Sequence, residues 1–418
     1  MKKHALFISA LIVCAAVYSG LVPLRAQLEK KNAFTSILSA ELTGKNSEMA
    51  LCGKIASSPV KTSDGKNYKF SLEVSSAKTG SIESSARGKC TVLFPAADFE
   101  AFLPGKLYSL SKSHVLLDAG ISARLTGKFS KSRKTGAAYF IATRAAYAGD
   151  SSGLAFFRAQ SRLALKRIVY AWHEAGGLFL ALISGSTEYI EDGLGELFRN
   201  AGLSHVLALS GMHLSIFSGF FGSVTKRGGK KFSSILSFAA VVIFVWFAGF
   251  SPSLRRAFIG FVVGLSVRYS GKETSQLNVL SFTFFLHIFV AAEEMFTVSF
   301  MLSYAALAGI LLFSEFFRFL FTATLARFFP PIPALESDLA ASCGAVLATS
   351  PITLAVFGTV SPIGIIATPL ISPLTTIFLI TGFSCFLLAL VFPPLIMPFG
   401  FVMERLYALI VFGVKLFN

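Results

Sequence analysis

Residues 233–250 read SSILSFAAVVIFVWFAGF, a stretch without one charged side chain. A run of this length and composition spans the hydrocarbon core of a bilayer as a helix. Comparable runs flank it, at 203–224, 254–268, 277–292, 296–314 and 338–357, with two or three more between 360 and 417. Over all 418 residues, 54% are hydrophobic and only 14% charged, and the mean hydropathy is +0.67. A soluble chain carries about 25% charged residues. These values exclude a soluble enzyme, a disordered chain and a fibrous repeat, and predict a polytopic helical membrane bundle over 201–418.

The amino-terminal part is different material. After Lys2 and Lys3, residues 5–24 are uncharged and long enough to span a membrane. Residues 1–25 therefore read as a retained anchor; a cleaved signal peptide is the alternative. From Arg25 to Asp150 there are 19 Lys+Arg against 10 Asp+Glu, a net of 19 − 10 = +9. Within 44–150, short alternating runs at 49–59, 66–77, 86–95, 121–130 and 137–146 predict strands, with a short helix near 96–103. Five strands and one small helix suit an OB-like β-barrel domain; periodicity alone does not distinguish it from a small sandwich. Region 154–200 opens with an amphipathic helix, 154–173. Phe157, Ala164, Leu165, Ile168 and Trp172 share an arc, and Arg158, Arg162 and Lys166 lie on another face. It reads as a helix lying in the membrane interface, or as a basic strip facing a polyanion.

Loop charges suggest the topology. Lys226, Arg227, Lys230 and Lys231, then Arg268 and Lys272, then Arg318 and Arg327, fall in alternate loops, as cytoplasmic loops do. Glu293 and Glu294 fall on the opposite side. The pattern predicts a cytoplasmic amino terminus and an extracytoplasmic β domain. Arg255 and Arg256 break it: they sit on the outer side at a helix start, after Ser251-Pro252, where a basic pair calls for an anion or a carbonyl cluster. An extracytoplasmic domain tolerates disulfides. Cys52 and Cys90 are therefore a candidate bridge, worth about 4 kcal/mol by chain entropy, or else two independent thiols.

No Asp or Glu falls in the middle of a predicted span; His205, His213 and His287 are the ionisable groups there. His205 and His213 lie about 80° apart on a helix, which makes no metal pair. Neither a phosphate-binding G-x-x-x-x-G-K-[ST] loop nor a G-x-S-x-G elbow occurs, and no cofactor or metal motif is present. Ser210 has no base placed beside it by the sequence. The chain therefore reads as a non-enzyme.

Gly202-Leu203-Ser204-His205-Val206-Leu207-Ala208-Leu209-Ser210-Gly211-Met212-His213-Leu214 closely resembles the signature of the ComEC-type competence proteins. Ser253-Leu254-Arg255-Arg256-Ala257 is similar to that family's S-x-x-R-A element, and Ser299-Phe300-Met301-Leu302-Ser303-Tyr304 to its S-F-x-L-S-[FY] element. The resemblance implies a channel that carries single-stranded DNA across the inner membrane in natural transformation, with His205, Ser210, Gly211, His213, Arg255 and Arg256 as motif residues. It implies as partners the bilayer, single-stranded DNA, a DNA receptor, a cytoplasmic ATPase and a separate nuclease. The last follows because the chain ends at Asn418, where many members continue into a metallo-β-lactamase-like domain. In the β domain, Lys128, Lys131, Arg133 and Lys134 on one hairpin, with Tyr139 and Phe140 on the next strand, are candidate DNA contacts. A small-solute transporter, or a non-transporting scaffold with a ligand-binding external domain, are the alternatives.

Overall fold

The computed structural model describes residues 5–19, 48–62, 64–79, 82–100, 115–131, 138–148, 153–186, 189–191, 193–224, 229–271, 273–325 and 333–418. A helix α1 (Ala5–Tyr18) precedes a β domain of β1 (Met49–Ile55), β2 (Val60–Lys61), β3 (Asn67–Thr79), β4 (Ile82–Pro95), α2 (Ala96–Glu100), β5 (Ser122–Lys131) and β6 (Ala138–Tyr147). The sheet runs β1-β5-β6-β4-β3-β2, and β1 also pairs with β3, so five strands close into a barrel with β2 appended. Closure removes the unpaired edges that a flat sheet of this size exposes. Side chains alternate in and out along each strand. Leu51, Tyr68, Phe70, Leu72, Val92, Leu125 and Phe140 fill the interior. Phe99 of α2 stacks on Tyr68, ring centroids 3.9 Å apart, and covers one end. Gly127 marks a register shift on β5. A Cβ there would lie 1.9 Å from the Ile141 carbonyl oxygen, so the bend needs glycine.

The alternation overturns two expectations. Cys52 and Cys90 are free thiols. Cys52 pairs with Ser76 and Cys90 with Leu72 on opposite sides of β3, so a whole strand lies between them. Two strand spacings amount to about 9.5 Å, beyond disulfide reach. Their side chains also diverge: Cys90 is buried inside, and Cys52 faces outward and accepts from Arg124 Nε at 3.2 Å. Phe140, in turn, is fully buried and packs edge-on against Phe129, so it offers no stacking face to a passing base.

The helical part comprises α3 (Leu154–Tyr170), α4 (His173–Ser184), α5 (Leu194–Asn200), α6 (Ser204–Leu207), α7 (Gly211–Val224), α8 (Lys230–Ala248), α9 (Pro252–Tyr269), α10 (Gln276–Ala291), a 3-10 turn (Ala292–Phe296), α11 (Val298–Leu325), α12 (Pro333–Phe357), α13 (Gly364–Val391) and α14 (Ile396–Lys415). Among the described residues, five helical segments are long and apolar enough to cross a membrane: 276–296, 298–324, 333–357, 364–391 and 393–415. The protein is a multi-pass membrane protein. The region after 360 holds two long helices, α13 and α14.

The amphipathic helix does not lie free in an interface. Ala159 and Leu163 of α3 complete the barrel core, and Leu165, Ile168 and Val169 enter the bundle core. The chain reverses at Trp172, whose indole Nε1 donates to the Ile396 carbonyl at 2.9 Å, and α4 returns with residues 175–184 buried throughout. Helix α3 thus joins barrel to bundle, and α4 lies within the bundle core. Its basic stripe is spent on that joint: Arg162 pairs with Asp118 at 3.4 Å and donates to Ser58 Oγ at 2.9 Å. Arg158 donates to the Phe247 carbonyl, and Lys166 sits over the Phe99 ring. A strip so occupied does not face a polyanion.

Candidate functional site

The predicted span 203–224 is not one helix. After α6 the chain is extended at Ala208, and α7 begins only at Gly211. Ser210 caps α7, its Oγ accepting from the Met212 N–H at 3.3 Å. The Ser210 N–H donates to Nδ1 of His213 at 3.2 Å, so this nitrogen is an acceptor and the ring proton sits on Nε2. His213 is fully buried, and its Nε2 has no partner among the described residues. Ser210 and His213 thus form a helix cap, and among the described residues no carboxylate meets the imidazole. Gly202, at φ 72°, packs its Cα against Gly364, where any side chain would collide with that backbone. This contact pins the interruption to the start of α13. His205, on α6, is exposed and stands apart from the Ser210–His213 pair.

Ser251 accepts from the Leu254 N–H and Pro252 occupies the first turn, which sets the start of α9 and puts Arg255 and Arg256 beside it. Two arginines at a helix amino terminus oppose the helix dipole, so each needs compensation from outside its own helix. Arg256 donates from Nε to Ser303 Oγ at 3.1 Å, and its terminal nitrogens face the interruption, 3.8 Å from where a Cβ on Gly211 would stand. Arg255 pairs through Nη2 with Oε1 of Glu294 at 3.1 Å. The other oxygen of Glu294 meets Nε2 of His287 at 2.9 Å, and Nδ1 of His287 lies 3.2 Å from the Tyr304 hydroxyl. Ser253 and Ser299 approach to 3.1 Å alongside. Three sequence elements far apart in the chain, 209–213, 253–257 and 299–304, thus converge on one polar cluster within an apolar bundle.

That cluster lies at the barrel end of the bundle. Glu293, next to Glu294, is 3.6 Å from Lys89 of β4, and Arg158 contacts the carboxyl end of α8. Of the other candidates, Lys128 is exposed on the barrel wall and Tyr139 is half-buried on the same outward face, with Ile141 beside it. Arg133 and Lys134, and the side chain of Lys131, lie outside the described residues. Glu294 and Ser303 as partners of the arginines, and His287 and Tyr304 behind Glu294, were not foreseen. The available signal was the pair of carboxylates 293–294 on the same predicted side as Arg255.

Among known proteins, the chain is 25% identical over 147 residues to ComE operon protein 3 of Bacillus subtilis, covering 35% of this chain and 19% of that one. It is 27% identical over 200 residues to an uncharacterized protein of Aquifex aeolicus, covering 48% and 44%. It is also 22% identical over 258 residues to the uncharacterized Escherichia coli protein YcaI, covering 59% and 33%. The chain therefore spans less than half the length of these relatives. No solved structure matches it. The family model described as Competence protein matches residues 182–418, from the end of α4 through the interruption and the arginine cluster to the last helix, and the chain belongs to that family.

Proposed function

We propose that this protein is a conduit for single-stranded DNA across the inner membrane during competence. In this reading the amino terminus is cytoplasmic and the barrel extracytoplasmic. A DNA receptor, a separate nuclease and a cytoplasmic ATPase act with it. The barrel, taken as OB-like, meets the strand on its outward face at Lys128 and Tyr139, joined by Lys131, Arg133 and Lys134. The +9 charge of residues 25–150 concentrates a polyanion by counterion release. The strand then enters the bundle at the interruption between α6 and α7.

The observation that carries the reading is the Arg256 guanidinium, which turns its terminal nitrogens toward Gly211 at the broken helix. Non-helical backbone at membrane depth is tolerated where it lines a polar path. A guanidinium stays charged there and holds a phosphate through paired hydrogen bonds. Its Nε is engaged by Ser303, and among the described residues its two terminal nitrogens make no hydrogen bond to a late proline-rich carbonyl. Arg256→Gln keeps the bond to Ser303 within reach and removes the charge. DNA entry into whole cells is expected to fall at least tenfold, with protein abundance and thermal stability unchanged. If entry falls only in step with abundance, the phosphate contact is wrong.

A further inference from the structure

Arg255 is held in an unfinished way. Of its five N–H donors, those on Nη2 meet one carboxylate oxygen, Oε1 of Glu294, at 3.1 Å, its one ion-pair partner among the described residues. Its Nε is buried and unpartnered among the described residues, and one face of the guanidinium lies on the Phe250 ring, 4.9 Å from the centroid. The carboxylate is shared, because its second oxygen belongs to His287. Arg255 thus has an aromatic shelf, a spare buried donor and a single-oxygen partner. A phosphodiester, with two free oxygens on a tetrahedral centre, matches such a fork better than half a carboxylate.

We propose that Glu294 is an internal stand-in for phosphate: it occupies Arg255 at rest and is displaced by the phosphodiester of an incoming strand. The Arg255–Glu294 pair is then an exchange latch at the barrel end of the bundle. Displacement leaves Glu294 with His287, whose other nitrogen is tied to Tyr304, so the carboxylate retains a partner once Arg255 has left. Arg255, His287 and Tyr304, from α9, α10 and α11, are the ionisable groups facing this carboxylate, with Arg256 and Glu293 next in line. Arg256 is the contact of the proposed conduit, and the latch rests on that reading. The latch adds the neighbouring subsite and the reason the chain keeps a carboxylate at the mouth of a path for anions.

The test uses the full chain in lipid nanodiscs and a fluorescent single-stranded oligothymidylate, with affinity measured across a salt series. Glu294→Gln preserves shape and removes the competing charge. It is expected to bind about tenfold tighter, the scale of one charge-assisted hydrogen bond. Wild-type protein engages Arg255 only after displacing Glu294, and Arg255→Gln loses that phosphate contact. Its slope of log affinity against log salt should be shallower than wild type by about 0.7, the increment for one phosphate on a single strand. In the double variant the gain of Glu294→Gln should vanish. Wild-type binding with no gain in Glu294→Gln and an unchanged slope in Arg255→Gln overturns the latch and leaves the conduit standing. Absence of any oligonucleotide binding by the wild type overturns both. Should Glu294→Gln not fold, the Arg255→Gln slope decides alone.

Discussion

At the scale of single residues, burial and facing decide what a side chain can do. Cys90 points into the barrel, where burial pushes its thiol up to about 12, and it stays protonated through neutral pH. Only thiolate is nucleophilic, so Cys90 is shielded by both access and protonation. Cys52 faces outward. In folded protein, maleimide is expected to label Cys52 and spare Cys90, with no change on adding reductant; labelling of Cys52 that requires reductant would restore the bridge. A two-residue period is enough to separate inward from outward positions, which is why Lys128 and Phe140 could have been sorted from the sequence. The Phe129–Phe140 pair shows the phase that the period sets.

Among the elements, α3 carries the most consequence, because it belongs to two cores at once. Asp118 is its anchor on the barrel. Burial alone would raise this carboxyl, but Arg162, Arg158 and Lys166, with the Ser58 hydroxyl, more than reverse the effect and hold it below its ordinary value. A carboxyl depressed on folding contributes stability above its unfolded value, about 3.9, and loses that contribution as pH falls through its folded value. The joint should therefore loosen only in acid below about pH 4, and Asp118→Asn should abolish that acid step. The same substitution is expected to cost about 3 kcal/mol at neutral pH, since it strands a buried guanidinium; thermal unfolding in nanodiscs reads both. Helix breaks behave similarly. Gly202→Ala, at positive φ against Gly364, should cost about 1–3 kcal/mol and reduce folded yield. The amphipathic period of α3 was legible, but the period does not say whether its apolar arc meets lipid or protein.

For the whole molecule, one end of the bundle carries the barrel, the α9 arginines and the 293–294 carboxylates. With the barrel outside, an impermeant maleimide applied to intact cells should label Ser75→Cys on β3 and not Ser270→Cys after α9, both in a Cys52→Ser background. Both positions are exposed in the fold, so the difference reports the membrane barrier. The reverse pattern would invert the topology and remove the barrel from the side on which the proposed conduit receives its strand.

Composition and run length alone determined that this is a membrane bundle with a basic β domain before it. Those properties follow from transfer free energy and side-chain period, which are local to each segment. The places of the five long strands, and the limits of α8, α9 and α10 to within a few residues, were legible for the same reason; α4, α5 and the break at 208–210 were not. The pairing of Arg255 with Glu294, the place of Arg256 at the interruption and the sharing of α3 between two cores were decided only by tertiary structure. Each joins residues from segments whose sequences carry no mutual register; only packing, which selects one arrangement of the helices, brings them within hydrogen-bond distance.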